Sequence, residues 1–383
     1  MKSLNSLFEK IFKEISFDIK KEDKALNMLN DNYKFNFLKK DLKKFKKFKK
    51  IVIIGMGGSI LGSEAIYYLF KKNIKKKVYF LNDLDESKIN KVRSSIKINK
   101  TLFLIISKSG NTLETITNSL LLKILKKNAK NIILISEQKN NIIFSLSKKL
   151  NLFHIEHKQF IGGRYSVLTE TGLLPAYLMG LNIQNIRKKI KSHLTGEKKR
   201  YLKKNAIYIS KLILEKKYQN LILLNYIPRL EKFLFWCQQL IAESLGKKGK
   251  GLLPIISNVP KDHHSLLQIY LDGPKDKLFY IFSSIEKSKS IINSSIFSEK
   301  NILHNKKLSF VKNAQKKALV KSLIKNKIPF REFKIGKLNE EKIGELFSYF
   351  ILETIVIGKL LKINPYNQPA VEQVKIYTRE FLR

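Results

Sequence analysis

Ile51-Val52-Ile53-Ile54-Gly55-Met56-Gly57-Gly58-Ser59 is a short apolar run that stops on glycine and passes into a turn with a hydroxyl at its far end. A continuous apolar run of this length predicts a buried strand. A helical stretch over 59–70 follows at once, so the run opens a strand–turn–helix unit. The same alternation continues outward. Strands are predicted at 78–81, 101–106, 131–135 and 152–155, with a helix over 112–127 that places Leu113, Ile116, Leu120 and Ile124 near one face. Strands alternating with helices make βαβ units and a parallel sheet with helices on both faces. The pattern restarts after about residue 200. Helices are predicted over 199–217, 231–245, 311–325, 340–361 and 369–381, and strands at 221–224, 266–271, 278–283 and 330–335. The expected fold class is α/β, with two doubly wound parallel-sheet domains. Residues 1–45 form an N-terminal helical segment, 46–195 the first domain and 200–383 the second, which closes on a C-terminal helix. In open α/β sheets ligands sit at the carboxyl ends of the strands, so the loops there carry the candidate chemistry.

The 383 residues are 44% hydrophobic, enough to fill sizeable cores in two domains. No apolar run approaches the roughly 18–20 uncharged residues of a membrane-spanning helix. Residues 1–24 carry acids and lack a small-residue cleavage site, so they do not read as a signal peptide. Cys237 is the only cysteine, which excludes an internal disulfide framework and fits a cytoplasmic, reducing location. The net charge of +44 is spread along the whole chain. Without a recognisable binding motif it predicts a solvated surface rather than a nucleic-acid partner, although a positive field draws in phosphorylated substrates. The densest run, residues 39–50, reads either as a local basic patch or as an exposed helical linker ahead of the first strand.

Several loops bear chemistry. Gly55-Met56-Gly57-Gly58-Ser59 lacks the third glycine of the dinucleotide fingerprint and the Gly-Lys-Ser/Thr ending of a P-loop. It still permits close backbone approach at a helix start, where an anion is favoured. Ser107-Lys108-Ser109-Gly110-Asn111-Thr112-Leu113-Glu114-Thr115 clusters four hydroxyls between a strand and a helix. One would suffice as an N-cap; the surplus points to a metal-free phosphate cradle. Gly162-Gly163-Arg164-Tyr165-Ser166 presents a permanently charged planar fork, suited to phosphate or a developing oxyanion. Gln239 and Glu243 share a helical face at four-residue spacing, and Glu243 lies near the helix end, a position open to a general base. In Lys261-Asp262-His263-His264-Ser265, adjacent histidines point apart and give no zinc spacing, so one serves better as an acid/base group. Gln368-Pro369 begins the last helix, with Lys375 two turns on.

Taken in order, from Gly57-Gly58-Ser59 through Ala242-Glu243-Ser244 and His264-Ser265 to 368–375, these segments resemble the glucose-6-phosphate isomerase family of the sugar isomerase (SIS) superfamily. The likeness runs from about Ile51 to Lys375. It implies two SIS-type three-layer αβα domains and a metal-free, cofactor-free aldose–ketose isomerase of glycolysis and gluconeogenesis, acting on glucose 6-phosphate and fructose 6-phosphate through a cis-enediolate. Residue by residue, Ser107, Lys108, Ser109 and Thr112 match the phosphate-binding loop, and Gly58 and Ser59 reach the same phosphate. Glu243 matches the base that moves the proton between C2 and C1, and Arg164 the residue that stabilises the enediolate. His264 and Lys375 match the ring-opening groups, and Gln239 and Gln368 the substrate-positioning amides. The family's histidine reaches the site from a neighbouring subunit, so a homodimer with a shared active site is implied. The loop Ser109-Gly110-Asn111-Thr112 has the form common across the superfamily. This leaves a bifunctional phosphoglucose/phosphomannose isomerase as the nearest alternative, with a non-catalytic sugar-phosphate-binding SIS protein beyond it.

Overall fold

The apolar run at 51–54 forms the centre of β1 (Lys50–Gly55). A computed structural model describes residues 2–286, 288–293 and 301–383. Around β1 lie β2 (Lys77–Leu81), β3 (Thr101–Ile106), β4 (Ile132–Ser136) and β5 (Phe153–Glu156), in the order β2-β1-β3-β4-β5 and all parallel. A second all-parallel sheet has the order β7-β6-β8-β9, from β6 (Asn220–Asn225), β7 (Leu253–Asn258), β8 (Lys277–Ser284) and β9 (Phe330–Ile335). The chain is thus an α/β protein with two doubly wound parallel sheets, as its strand–helix alternation predicts.

The lack of polar alternation in the central strands has a direct cause. Ile51 and Ile53 face a large core that also holds Leu221 and Leu223 of the second sheet. Val52 and Ile54 point the other way, into a separate cluster with Phe103, Ile105 and Leu134. Ile222 and Leu224 do the same in a third cluster with Phe279 and Ile281. Both faces of each central strand are therefore buried, and each such side chain contributes about 1.5–3 kcal/mol.

The helices that matter for the site are α1 (Lys2–Lys20), α2 (Leu61–Phe70), α3 (Leu113–Leu121), α4 (Glu170–Leu178), α5 (Gly196–Leu214), α6 (Glu231–Leu245), α7 (Leu308–Lys325), α8 (Glu340–Leu360) and α9 (Glu372–Phe381). α2, from the first sheet, packs on α6, from the second, and α6 packs on α8. α8 is buried on nearly every side from Ile343 to Gly358, as expected of a helix that is apolar all round. Its buried acid Glu353 is paired with the buried Arg331 at 2.6 Å. α1 lies against α8 and α5. The following segment is fixed by buried Glu170, which accepts from Tyr33 Oη at 3.1 Å and from the Asn36 N–H at 2.8 Å. In the basic run 39–50, Leu42, Phe45 and Phe48 are buried at three-residue spacing while Lys43, Lys44, Lys46, Lys47 and Lys49 are exposed. The run is thus a one-sided cover on the core, rather than a free linker.

Two predicted elements are corrected. Residues 266–271 are not a strand but a short helix, Leu267–Leu271, seeded by the Leu266 N–H donating to Asp262 O at 2.8 Å. The strand of that region is β7, where Pro254 is accommodated because β7 is an edge strand. The helix expected over 112–127 stops at Leu121, and Lys123 turns to positive φ. Leu113 and Leu120 are exposed, and Thr115, Asn118 and Ser119 face inward instead. No helix among the described residues is long and apolar enough to cross a membrane.

Candidate active site

The chain goes from β1 to β2 on one side and to β3 on the other, and the carboxyl-end crevice at such a reversal is where ligands bind. Gly55 and Ile106 are register partners across that boundary, so the loops after them are neighbours. The first loop makes a 3-10 turn, Gly57–Ser59, before α2. A Cβ on Gly58 would stand 2.1 Å from the backbone carbon of Gly163. Only glycine lets the two backbones meet there, and this contact brings Ser59, which is nearly buried, beside the Gly162-Gly163-Arg164 turn.

The second loop holds its hydroxyls without using them as helix caps. Thr112 is the N-cap residue of α3, yet its side chain makes no capping bond. Its Oγ1 lies 2.7 Å from Ser107 Oγ, and Ser107 Oγ accepts from the Gly110 N–H at 3.2 Å. Ser109 Oγ accepts from the Asn111 N–H at 3.3 Å. Gly110 has φ +66°, and a Cβ there would overlap Asn141 Oδ1. Lys108 lies 3.7 Å from buried Glu137, which also pairs with Lys139. Burial lowers the Lys108 pKa, Glu137 opposes the shift, and Arg164 is close enough to add to it.

Arg164 is the hub. Its Nε donates to Ser244 Oγ at 2.8 Å. Nη1 donates to Glu243 Oε2 at 3.0 Å and to Gln368 Oε1 at 2.8 Å, and Nη2 to the carbonyls of Pro365 at 2.6 Å and Asn367 at 3.1 Å. A guanidinium has five N–H donors, and every one has an acceptor. A buried cation is stable only when paired and bonded in this way. Trp236 Nε1 donates to the Arg164 carbonyl at 3.1 Å, and Tyr165 Oη shares Ser244 Oγ and Pro365 O. Glu243, about a third exposed, also accepts from Gln239 Nε2 at 2.9 Å. Gln239 Oε1 is buried without a partner. An orphaned acceptor in such a place calls for an unseen donor, and a substrate hydroxyl is one.

Arg164, Glu243, Gln239 and Gln368 therefore converge, with Gly58 and Ser59 beside them and the Ser107–Thr112 loop across the crevice. His264 and Lys375 do not join them. His264 is exposed in the turn Lys261–His264. That turn is tied to the start of α6: Asp262 accepts from the Asn258 N–H at 2.7 Å, and Asn258 Nδ2 donates to Glu231 at 2.7 Å. Glu243 lies at the other end of α6, about 18 Å of helix beyond Glu231. Lys375 sits on α9, which buries no residue, and pairs with Glu372 at 2.7 Å. Sequence reasoning missed Ser244 as a ligand of Arg164. It also missed Glu137, whose place just beyond the carboxyl end of β4 was the available signal.

Among solved structures, the chain is similar over its whole length to a hypothetical protein from Thermus thermophilus (TM-score 0.85, 22% identity, 96% of that chain). It is also similar, over 97% of its length, to a glucose-6-phosphate isomerase from Chlamydia trachomatis (TM-score 0.75, 19% identity, 74% of that chain). Two doubly wound αβα units with a crevice between hydroxyl-rich loops define the class: a sugar-isomerase-type α/β fold. A sequence model described as phosphoglucose isomerase matches residues 39–253. A probable glucose-6-phosphate isomerase of Methanococcus maripaludis is 33% identical over 93% of this chain and 83% of its own, and a glucose-6-phosphate isomerase of Methanocaldococcus jannaschii 32% identical over 88% and 85%. The chain belongs to the phosphoglucose isomerase family.

Proposed function

We propose that this chain interconverts glucose 6-phosphate and fructose 6-phosphate, with Glu243 as the base that shuttles the proton between C2 and C1. The observation that carries the reading is the Glu243 carboxylate held between Arg164 and Gln239, across a crevice from the Ser107–Thr112 hydroxyls. The sugar's phosphate rests among Ser107, Lys108, Ser109, Thr112 and Ser59, and its binding energy positions the reacting carbons. Glu243 takes the C2 proton of the open aldose. The electron pair moves into the C1–C2 bond and the carbonyl oxygen becomes an enediolate oxyanion. Arg164 offsets that charge with donors now turned to Glu243 and Gln368. Glu243 returns the proton to C1, and O2 becomes the ketose carbonyl as its proton passes to O1. The orphaned Gln239 Oε1 accepts a sugar hydroxyl.

Ring opening falls to His264 and Lys375, and a second copy of the chain supplies what one copy leaves apart. The separation of the His264 turn from Glu243 along α6 supports this, as does the exposed apolar side of α9 at Val374, Tyr377 and Phe381. The test is a coupled assay that supplies fructose 6-phosphate and detects glucose 6-phosphate, repeated with mannose 6-phosphate. Turnover with glucose and fructose phosphates is the expected result; none with either sends the reading to a binding-only protein. Ser109→Ala combined with Thr112→Val is expected to raise KM about tenfold or more, since charge-assisted bonds to phosphate are lost. An unchanged KM would place the phosphate elsewhere.

A further inference from the structure

After α6 the chain runs Gly246-Lys247-Lys248-Gly249-Lys250-Gly251. It closes a tight turn in which the Lys247 and Lys250 backbones exchange hydrogen bonds at 3.2 and 3.0 Å. Lys248, Gly249 and Gly251 all have positive φ. The turn aims two lysine side chains back at the protein, and both end on backbone carbonyls. Lys247 Nζ donates to Ser244 O at 2.9 Å and to Asn364 O at 2.7 Å. Lys250 Nζ donates to Leu361 O at 2.8 Å, just past the end of α8. Ser244 O lies in the last turn of α6, where carbonyls lack helical partners and a cation is favoured.

The placement of Lys247 has a consequence for Arg164. All five acceptors around that guanidinium come from the two segments that Lys247 joins: Glu243 and Ser244 at the end of α6, and Pro365, Asn367 and Gln368 in the segment that begins at Asn364. We propose that Lys247 is a positioning residue for the isomerase reaction: its ammonium holds the 364–368 segment against the end of α6 and so fixes Arg164, Gln368 and Glu243 relative to one another. This rests on the proposed activity. Lys247 touches no reacting atom, and its effect passes through Arg164.

The charge on Lys247 is open to titration near neutral pH. The charged groups that face it are Arg164, from the loop after β5, and Glu243, on α6; segment 364–368 carries neither an acid nor a base of comparable range. Burial, then Arg164, lower its pKa to about 8, with Glu243 opposing. Below that pH the clamp is charged. Above it the amine still donates two N–H groups, but to neutral-strength bonds about half as strong.

The experiment is a pH series of kcat and KM, from pH 6.5 to 9.5, on wild type, Lys247→Met and Lys247→Arg, with thermal unfolding of each. Wild type is expected to lose kcat as pH rises through about 8. Lys247→Met is expected to have kcat lowered about tenfold or more at pH 7, with KM changed far less, and to lack that alkaline limb. Lys247→Arg, charged throughout, is expected to carry the limb to higher pH, and serves alone if Lys247→Met does not fold. Wild-type kcat in Lys247→Met, or an unmoved limb in either variant, would overturn the proposal. A wild type with no isomerase activity at any pH is a separate result: it removes the activity itself, and this inference with it.

Discussion

Glu243→Gln is expected to lower kcat by about a thousandfold or more, within or beyond the range assigned to a single positioned acid–base group, while substrate binding persists. The geometry explains why the two effects separate. Glutamine has the shape of glutamate, so its carbonyl still accepts from Arg164 Nη1, 3.0 Å away. Its new NH2 group meets Gln239 Nε2, a donor at 2.9 Å. A flip of the Gln239 amide resolves that clash, because Oε1 has no protein partner to lose and a sugar hydroxyl can accept from Nε2 as readily as it donates to Oε1. The pocket thus survives with its hydrogen bonds rearranged, and the phosphate loop is untouched. What disappears is the only carboxylate among the described residues in contact with the hub, and with it the acceptor for the C2 proton. Steady-state rates in the coupled assay, set beside calorimetric binding of fructose 6-phosphate, read both quantities. A variant with near-normal kcat would show that another group moves the proton; a variant that no longer binds would show that Glu243 is structural.

The parts of this fold legible in the sequence are those where one physical signal acts alone. β1, β3 and β6 are buried on both faces, so they read as unbroken apolar runs. The loops after β1 and β3 announce themselves because a tight turn needs glycine and an anion cradle needs hydroxyls. Competing signals produced the misreadings. Pro254 hid β7, and the apolar run at 266–271 is too short for periodicity to separate strand from helix. In α3 the buried side is polar: Asn118 Nδ2 donates to Asp83 O at 2.9 Å and Ser119 Oγ to Thr115 O at 2.7 Å. A search for an apolar stripe selects the wrong face there. At the site, the four-residue spacing of Gln239 and Glu243 was readable. The clustering on Arg164 was not, because two of its acceptors are backbone carbonyls, which any residue supplies. Lys247 was hidden in a chain with 75 lysines and arginines.

Mixing Glu243→Gln subunits with His264→Ala subunits, each nearly inactive alone, is expected to restore activity to about a quarter of the wild-type level. The figure follows from where the two residues lie. Within one chain, the turn that carries His264 is tied through Asp262 and Asn258 to Glu231 at the start of α6, and Glu243 lies about 18 Å further along that helix. The polar contacts of His264's turn lead to Asn258 and Glu231, away from Arg164. If each site takes Glu243 from one copy and His264 from the other, a mixed dimer gathers both defects into one site and leaves the second intact. Random exchange makes half of the dimers mixed, and half of their sites work, hence a quarter. If His264 acted on its own subunit's Glu243, every site in every mixed dimer would keep one defect, and mixing would restore nothing. The two arrangements contain the same residues, so the outcome depends only on how they are shared. Co-expression with two different affinity tags isolates the mixed dimer, which should then show half the wild-type rate. Light scattering on the same sample checks the premise: a chain that stays monomeric while fully active would require α9 or the His264 turn to move across that distance within one copy.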